Sequence, residues 1–144
     1  MFKLACETVI RAAPTTVYDI LADLPRYGEW NPFNIRGVGV AAPGKTVRIT
    51  ARLGKREMTV SHKILVMEPG AAFVWGDLGW FTKFAYGERA RYIERGEDGV
   101  VRYRVELSIT GPLAWLVKWQ MSPLLLGGIQ AETDALKLRA EARG

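Results

Sequence analysis

The sequence predicts an α+β domain in which an antiparallel sheet of about six or seven strands curls around one long C-terminal helix, with one or two short helices after the first strand. Three observations carry this. From residue 35 to residue 110 apolar residues recur at every second position, in segments cut by turns, which is the period of half-buried strands. From residue 111 to residue 142 the spacing becomes helical. A strand pattern and a short helical pattern precede the run of strands, so helices lie at both ends of it.

Residues 2–12 alternate loosely and form the first strand. Ala13-Pro14-Thr15-Thr16 starts a helix, with Thr15 or Thr16 as its cap and Val17, Ile20, Leu21 and Leu24 as its buried stripe. Pro25 ends it, and residues 26–29 leave room for one further turn. Trp30-Asn31-Pro32-Phe33 sets two large aromatics around a proline, and such rings seek burial. Residues 35–40 are a short strand. Val47, Ile49, Ala51 and Leu53 mark the buried face of the next, and Met58, Val60, His62, Ile64 and Val66 that of the one after it. Residues 72–78 follow, with Phe73, Trp75 and Asp77 on one face, and then a loop tipped by Trp80 and Phe81. Residues 84–95 and 101–110 are the last two strands, joined by the turn Gly96-Glu97-Asp98-Gly99. In the final strand Tyr103, Val105, Leu107 and Ile109 face the core. Gly111-Pro112 opens the last helix, whose inner stripe reads Leu113, Leu116, Val117, Gln120, Leu124, Gly128, Ala131, Ala135 and Leu138. Glu132, Asp134, Lys137, Arg139 and Glu141 are assigned to its outer side, and a kink is expected at Pro123. The stripe begins large and ends small, so Gly127, Gly128 and Ala131 leave a hollow under the helix.

The chain of 144 residues suits one domain spanning 1–144. The net charge is +5, but Lys and Arg are interleaved with acids, so no nucleic-acid footprint stands out. Cys6 is the one cysteine; this excludes an internal disulfide and favours a reducing compartment. Residues 1–7 lack the apolar core of a signal peptide, and the longest apolar run is broken by Lys118, Gln120, Ser122 and Pro123. A cytoplasmic protein without stable membrane insertion is expected; the oligomeric state stays open.

The order of elements, and the residues carrying it, resemble the START-like (SRPBCC) superfamily of helix-grip proteins, within it the polyketide cyclase/dehydrase type. The carriers are Ala13-Pro14, the run from Val17 to Leu24, Tyr27, Trp30-Asn31-Pro32-Phe33, Trp75 before a glycine, Gly87-Glu88, Gly111-Pro112-Leu113 and Ala135-Leu136-Lys137. The resemblance covers essentially the whole chain. It implies a cavity between sheet and C-terminal helix that holds lipids, sterols, polyketides or similar molecules, and in some members an aromatic ring closure or dehydration. No single catalytic set is common to the family.

The expected function is therefore binding or transport of a small hydrophobic or amphipathic ligand. A cyclase or dehydratase with His62 as acid/base and Asp77 beside it is the alternative, and a protein- or membrane-interaction module is a third. The expected ligand-binding set is Trp30, Phe33, Val60, His62, Trp75, Arg89, Arg91, Tyr103, Leu116, Gln120, Leu124 and Gly128. His62, the only histidine, shares the apolar face of Val60 and Ile64, as a core histidine or as a proton carrier. Arg89 and Arg91 share a face with Ile93; it is either inward, where two cations need an answering anion, or outward, with Glu88, Ala90 and Tyr92 inside. One His and one Cys do not make a metal set, so neither metal nor cofactor is expected. Trp80 and Phe81 are expected to gate the cavity by packing on helix residues 115–126.

Overall fold

In the computed structural model, which describes residues 1–143, seven strands form one antiparallel sheet in the spatial order β1-β7-β6-β5-β4-β3-β2. They are β1 (Phe2–Ile10), β2 (Asn34–Val38), β3 (Thr46–Leu53), β4 (Arg56–Glu68), β5 (Ala72–Leu78), β6 (Tyr86–Arg95) and β7 (Val101–Thr110). Helix α1 (Pro14–Ala22) and a 3₁₀ turn (Leu24–Glu29) follow β1, a second 3₁₀ turn (Trp80–Lys83) follows β5, and α2 (Ala114–Arg143) ends the chain. The sheet curls its apolar face around α2, the helix-grip arrangement expected from the sequence.

Helix α1 buries Val17, Ile20 and Leu21, and the following turn buries Leu24, as their spacing requires. Its cap differs from the expectation. Ala13 is the N-cap, with extended backbone and no side-chain bond, because Pro14 itself occupies the first helical turn. Strand β7 buries Val101, Tyr103, Val105, Leu107 and Ile109, the alternation read from the sequence. Strand β4 departs from strict alternation. A bulge between Ile64 and Val66 shifts the parity, so Met67, not Val66, lies opposite Phe73 and packs on the core. Strand β6 starts at Tyr86 rather than Phe84, because Phe84 and Ala85 are tied to the Phe81 carbonyl.

The largest correction concerns α2. It continues through Pro123 and buries Ala114, Leu125, Ile129, Glu132, Thr133, Leu136 and Ala140. The stripe is turned by about one residue, roughly 100°, from the expected one. Gln120, Leu124 and Ala131 are exposed, and Leu138 is 72% exposed. Glu132, assigned to the outer side, is 3% exposed. Gly128 lies close to Phe33: a Cβ there would sit 2.3 Å from the ring, so the small residue lets helix and aromatic meet instead of leaving a hollow. Gly127 has nothing within 4 Å of its Cβ position.

Candidate functional site

A cavity of about 230 Å³ lies between the inner face of the sheet and the first half of α2. This is a little under the usual range for ligand sites, about 300–1,000 Å³. Strands β3 and β4 supply Ile49, Ala51, Leu53, Met58, Val60 and His62; β6 and β7 supply Gly87, Arg89, Leu107 and Ile109. The helix closes it with Val117, Met121 and Leu125, one residue on from the expected Leu116, Gln120 and Leu124, which are not in the wall. A larger groove of about 610 Å³ lies on the other face of the sheet, where Glu7, Glu94, Arg102 and Arg104 line it beside Thr8, Val9, Tyr92 and Tyr103.

Four polar side chains stand in the wall: His62, Asp77, Arg89 and Asn34. His62 and Asp77 are opposite each other on β4 and β5, so their side chains share the inner face. His62 Nε2 is 2.9 Å from Asp77 Oδ1, and Asp77 Oδ2 accepts from the Gly87 amide at 3.0 Å. Gly87 permits that approach, since a Cβ would come within 2.6 Å of Oδ2. His62 Nδ1 has no hydrogen-bond partner, and its ring lies 5.3 Å from that of Trp75.

Arg89 is the third, and the register decides its direction. Arg89, Arg91 and Ile93 lie opposite Leu107, Val105 and Tyr103, which face the core, so both guanidiniums point inward. Arg91 is fully buried and Arg89 is 8% exposed. Glu132 answers them from α2. Its Oε1 accepts from Arg91 Nη2 at 3.2 Å, and its Oε2 lies 3.7 Å from Arg89 Nη1. Asn34 Nδ2 donates to Oε2 at 2.6 Å. Asn34 is placed by the preceding motif, where the Asn31 side chain accepts the Phe33 and Asn34 amides in a tight turn. The Arg91 guanidinium sits 4.0 Å from the Trp75 ring centroid, and that of Arg89 sits 5.0 Å from Phe33, which lines the cavity beside it.

The buried cluster holds two cations and one anion. Glu132 is nearer Arg91, and the pKa directions follow. Burial lowers Arg89's pKa, with Glu132 opposing incompletely. For Arg91 burial acts the same way, but Glu132, then Tyr27 and Tyr103, more than offset it and the shift is upward. Burial pushes the phenols of Tyr27 and Tyr103 above the ordinary tyrosine range.

The other expected residues fall outside the wall. Trp75 lies beneath the cavity, Tyr103 is in the core, and Trp30 is half-buried against Tyr27. The two loop aromatics separate. Phe81 enters the wall, whereas Trp80 is 78% exposed, edge-on to Phe81 and Phe84. The 3₁₀ turn explains this, since consecutive residues in a tight helical turn point in different directions. Trp115 and Trp119 on α2 are likewise exposed. Asn34 and Glu132 were missed by sequence reasoning. The one local signal for Glu132 was its helical spacing from Leu125, Ile129 and Leu136, which the several-sided apolar first half of α2 obscured; Asn34 offered none. Among the described residues, no three His, Cys, Asp or Glu side chains converge as a metal site requires, and no helix is long and apolar enough to cross a membrane.

The family model described as polyketide cyclase/dehydrase and lipid transport matches residues 1–141. No curated protein matches the chain. Among solved structures, the Zhui aromatase/cyclase from a Streptomyces species superposes with a TM-score of 0.82 at 12% identity, covering 99% of this chain and 94% of that one. A START superfamily protein from Mycobacterium smegmatis gives 0.77 at 15% identity, covering 99% of each. A hypothetical protein from Helicobacter pylori gives 0.79 at 15% identity, covering 96% of this chain and 88% of its own. At these identities the likeness concerns the fold.

Proposed function

The chain belongs to the polyketide cyclase/dehydrase and lipid-transport family of the START-like superfamily, and from that premise we propose that it binds a small hydrophobic or amphipathic molecule in the cavity between sheet and C-terminal helix. The observation that carries this reading is the make-up of the wall: mostly aliphatic and aromatic side chains with four polar groups, as in sites for apolar ligands. A reducing, cytoplasmic setting suits the single cysteine. The test is binding of the uncharged fluorophore N-phenyl-1-naphthylamine, with native mass spectrometry of protein from its own host to find a co-purified molecule. Met121→Trp, which fills the space, is expected to abolish dye binding. Dye binding undiminished by that substitution sinks the reading.

A second reading is favoured by the His62–Asp77 pair. Asp77 orients the imidazole, and a positioned histidine in a cavity wall can move a proton in a cyclisation or dehydration of a polyketide-like substrate. On this reading His62→Gln lowers turnover about a hundredfold or more while dye binding persists. Turnover equal to that of the unaltered protein removes His62 from any mechanism.

Ligand entry separates the two loop aromatics. Phe81→Ala is expected to speed both association and release of the dye in stopped-flow fluorescence, because it opens the wall. Trp80→Ala, outside the wall, is expected to leave both rates within about twofold. Rates left unchanged by Phe81→Ala place the entrance elsewhere, beside Trp30 to Phe33.

A further inference from the structure

We propose that the cavity selects apolar carboxylic acids, the carboxylate accepting hydrogen bonds from the Arg89 guanidinium. This rests on the cavity being the ligand site and names the class of ligand it takes. The starting observation is that Arg89 is more than nine-tenths buried, lines the cavity, and leaves both Nε and Nη1 without a hydrogen-bond partner. A buried guanidinium holds five donors in a fixed fork, and a carboxylate matches two of them at once.

No group of the chain completes that fork. Glu132 is bonded to Arg91 and Asn34, and reaches Arg89 only at 3.7 Å, beyond hydrogen-bond distance. Asp77, the other carboxylate in the wall, is held by His62 and the Gly87 amide and forms no ion pair with Arg89. The rings of Phe33 and Trp75 flank the guanidinium, at 5.0 and 5.8 Å from their centroids, and offer it no lone pair. Two arginines against one buried glutamate leave a surplus positive charge within the cluster, answered only at longer range by Asp77 across the cavity. Giving a buried guanidinium that has an ion-pair neighbour but no hydrogen-bond acceptor a ligand anion is favourable where water is scarce. Asp77 repels an anion from the His62 side, so the carboxylate lies toward Arg89, Leu107 and Phe33. The hydrocarbon of the acid then meets Val117, Met121 and Leu125.

The experiment compares 1-naphthaleneacetic acid with its methyl ester, which shares the ring system and lacks the charge. Each displaces N-phenyl-1-naphthylamine from the protein at neutral pH. A charge-assisted pair predicts the acid to bind about ten- to hundredfold more tightly than the ester. Arg89→Met is expected to bring the acid-to-ester ratio to within about threefold. That variant keeps Arg91 opposite Glu132, a balanced pair, so it removes the surplus cation without orphaning the carboxylate. An ester as tight as the acid in the unaltered protein overturns the proposal without any variant, while leaving the cavity as a ligand site. A ratio that survives in Arg89→Met also overturns it. Failure of the dye itself to bind overturns both this proposal and the reading beneath it.

Discussion

Glu132→Gln is expected to lower the unfolding free energy by about 3–5 kcal/mol, the cost of leaving buried charge uncompensated. The amide keeps the shape and an oxygen acceptor for Asn34 or Arg91, so the loss is mainly the charge. Two guanidiniums would then face each other across a water-poor space with only the rings of Trp75, Phe73 and Phe33 against them. Urea unfolding reads this as a fall in midpoint of roughly 2 M with an unchanged slope. The companion variant replaces all three charges, Arg89→Met with Arg91→Leu and Glu132→Leu. It is expected near the unaltered stability, because an apolar cluster of similar volume avoids the desolvation cost of the ions. If Glu132→Gln changes stability by less than about 0.5 kcal/mol, water or another acid compensates the arginines and the account of the cluster is wrong.

Trp75→Ala is the second large effect, expected to cost about 3–5 kcal/mol. The ring is among the largest fully buried side chains, and it touches Phe73 edge-on, His62 and the Arg91 guanidinium. Removing it leaves a void under the cavity, takes away a cation–π partner and loosens the His62 ring. Trp80→Ala deletes the same side chain at the exposed turn, and there the expected change stays within about 0.5 kcal/mol. The pair of measurements separates burial from chemistry. Equal losses at the two positions would mean that Trp80 is covered in solution, by a second copy of the chain or by another body.

Much of the architecture was readable in order along the chain. The alternation in β7 is clean because one face is wet and the other is core, so hydrophobicity reports the face directly. The α1 stripe was legible for the same reason. The phase of α2 was not. Its first half carries Trp115, Leu116, Val117, Trp119, Leu124, Leu125 and Leu126, apolar on several sides, so no single face is favoured by composition. In its second half the inner face carries Glu132 and Thr133, and a periodicity argument that sends charges outward rejects the true face.

The site divides along the same line. Local pattern along the chain is enough for the strand-rich grip around a C-terminal helix, the inward faces of β3 and β7, and the placing of His62 with Val60 on one side of a strand. These follow from nearest-neighbour periods, which a chain carries locally. The inward direction of Arg89 and Arg91 comes from strand pairing. Between β6 and β7 the pairing runs Arg95 to Val101, and a link one residue shorter or longer would turn β6 over and put Glu88 and Tyr92 inside. The answering Glu132 lies 41 residues beyond Arg91, brought to it by the packing of α2 on the sheet. A buried charge is tolerated only where its partner arrives from elsewhere in the fold, so its position is a property of the packing and not of the local pattern.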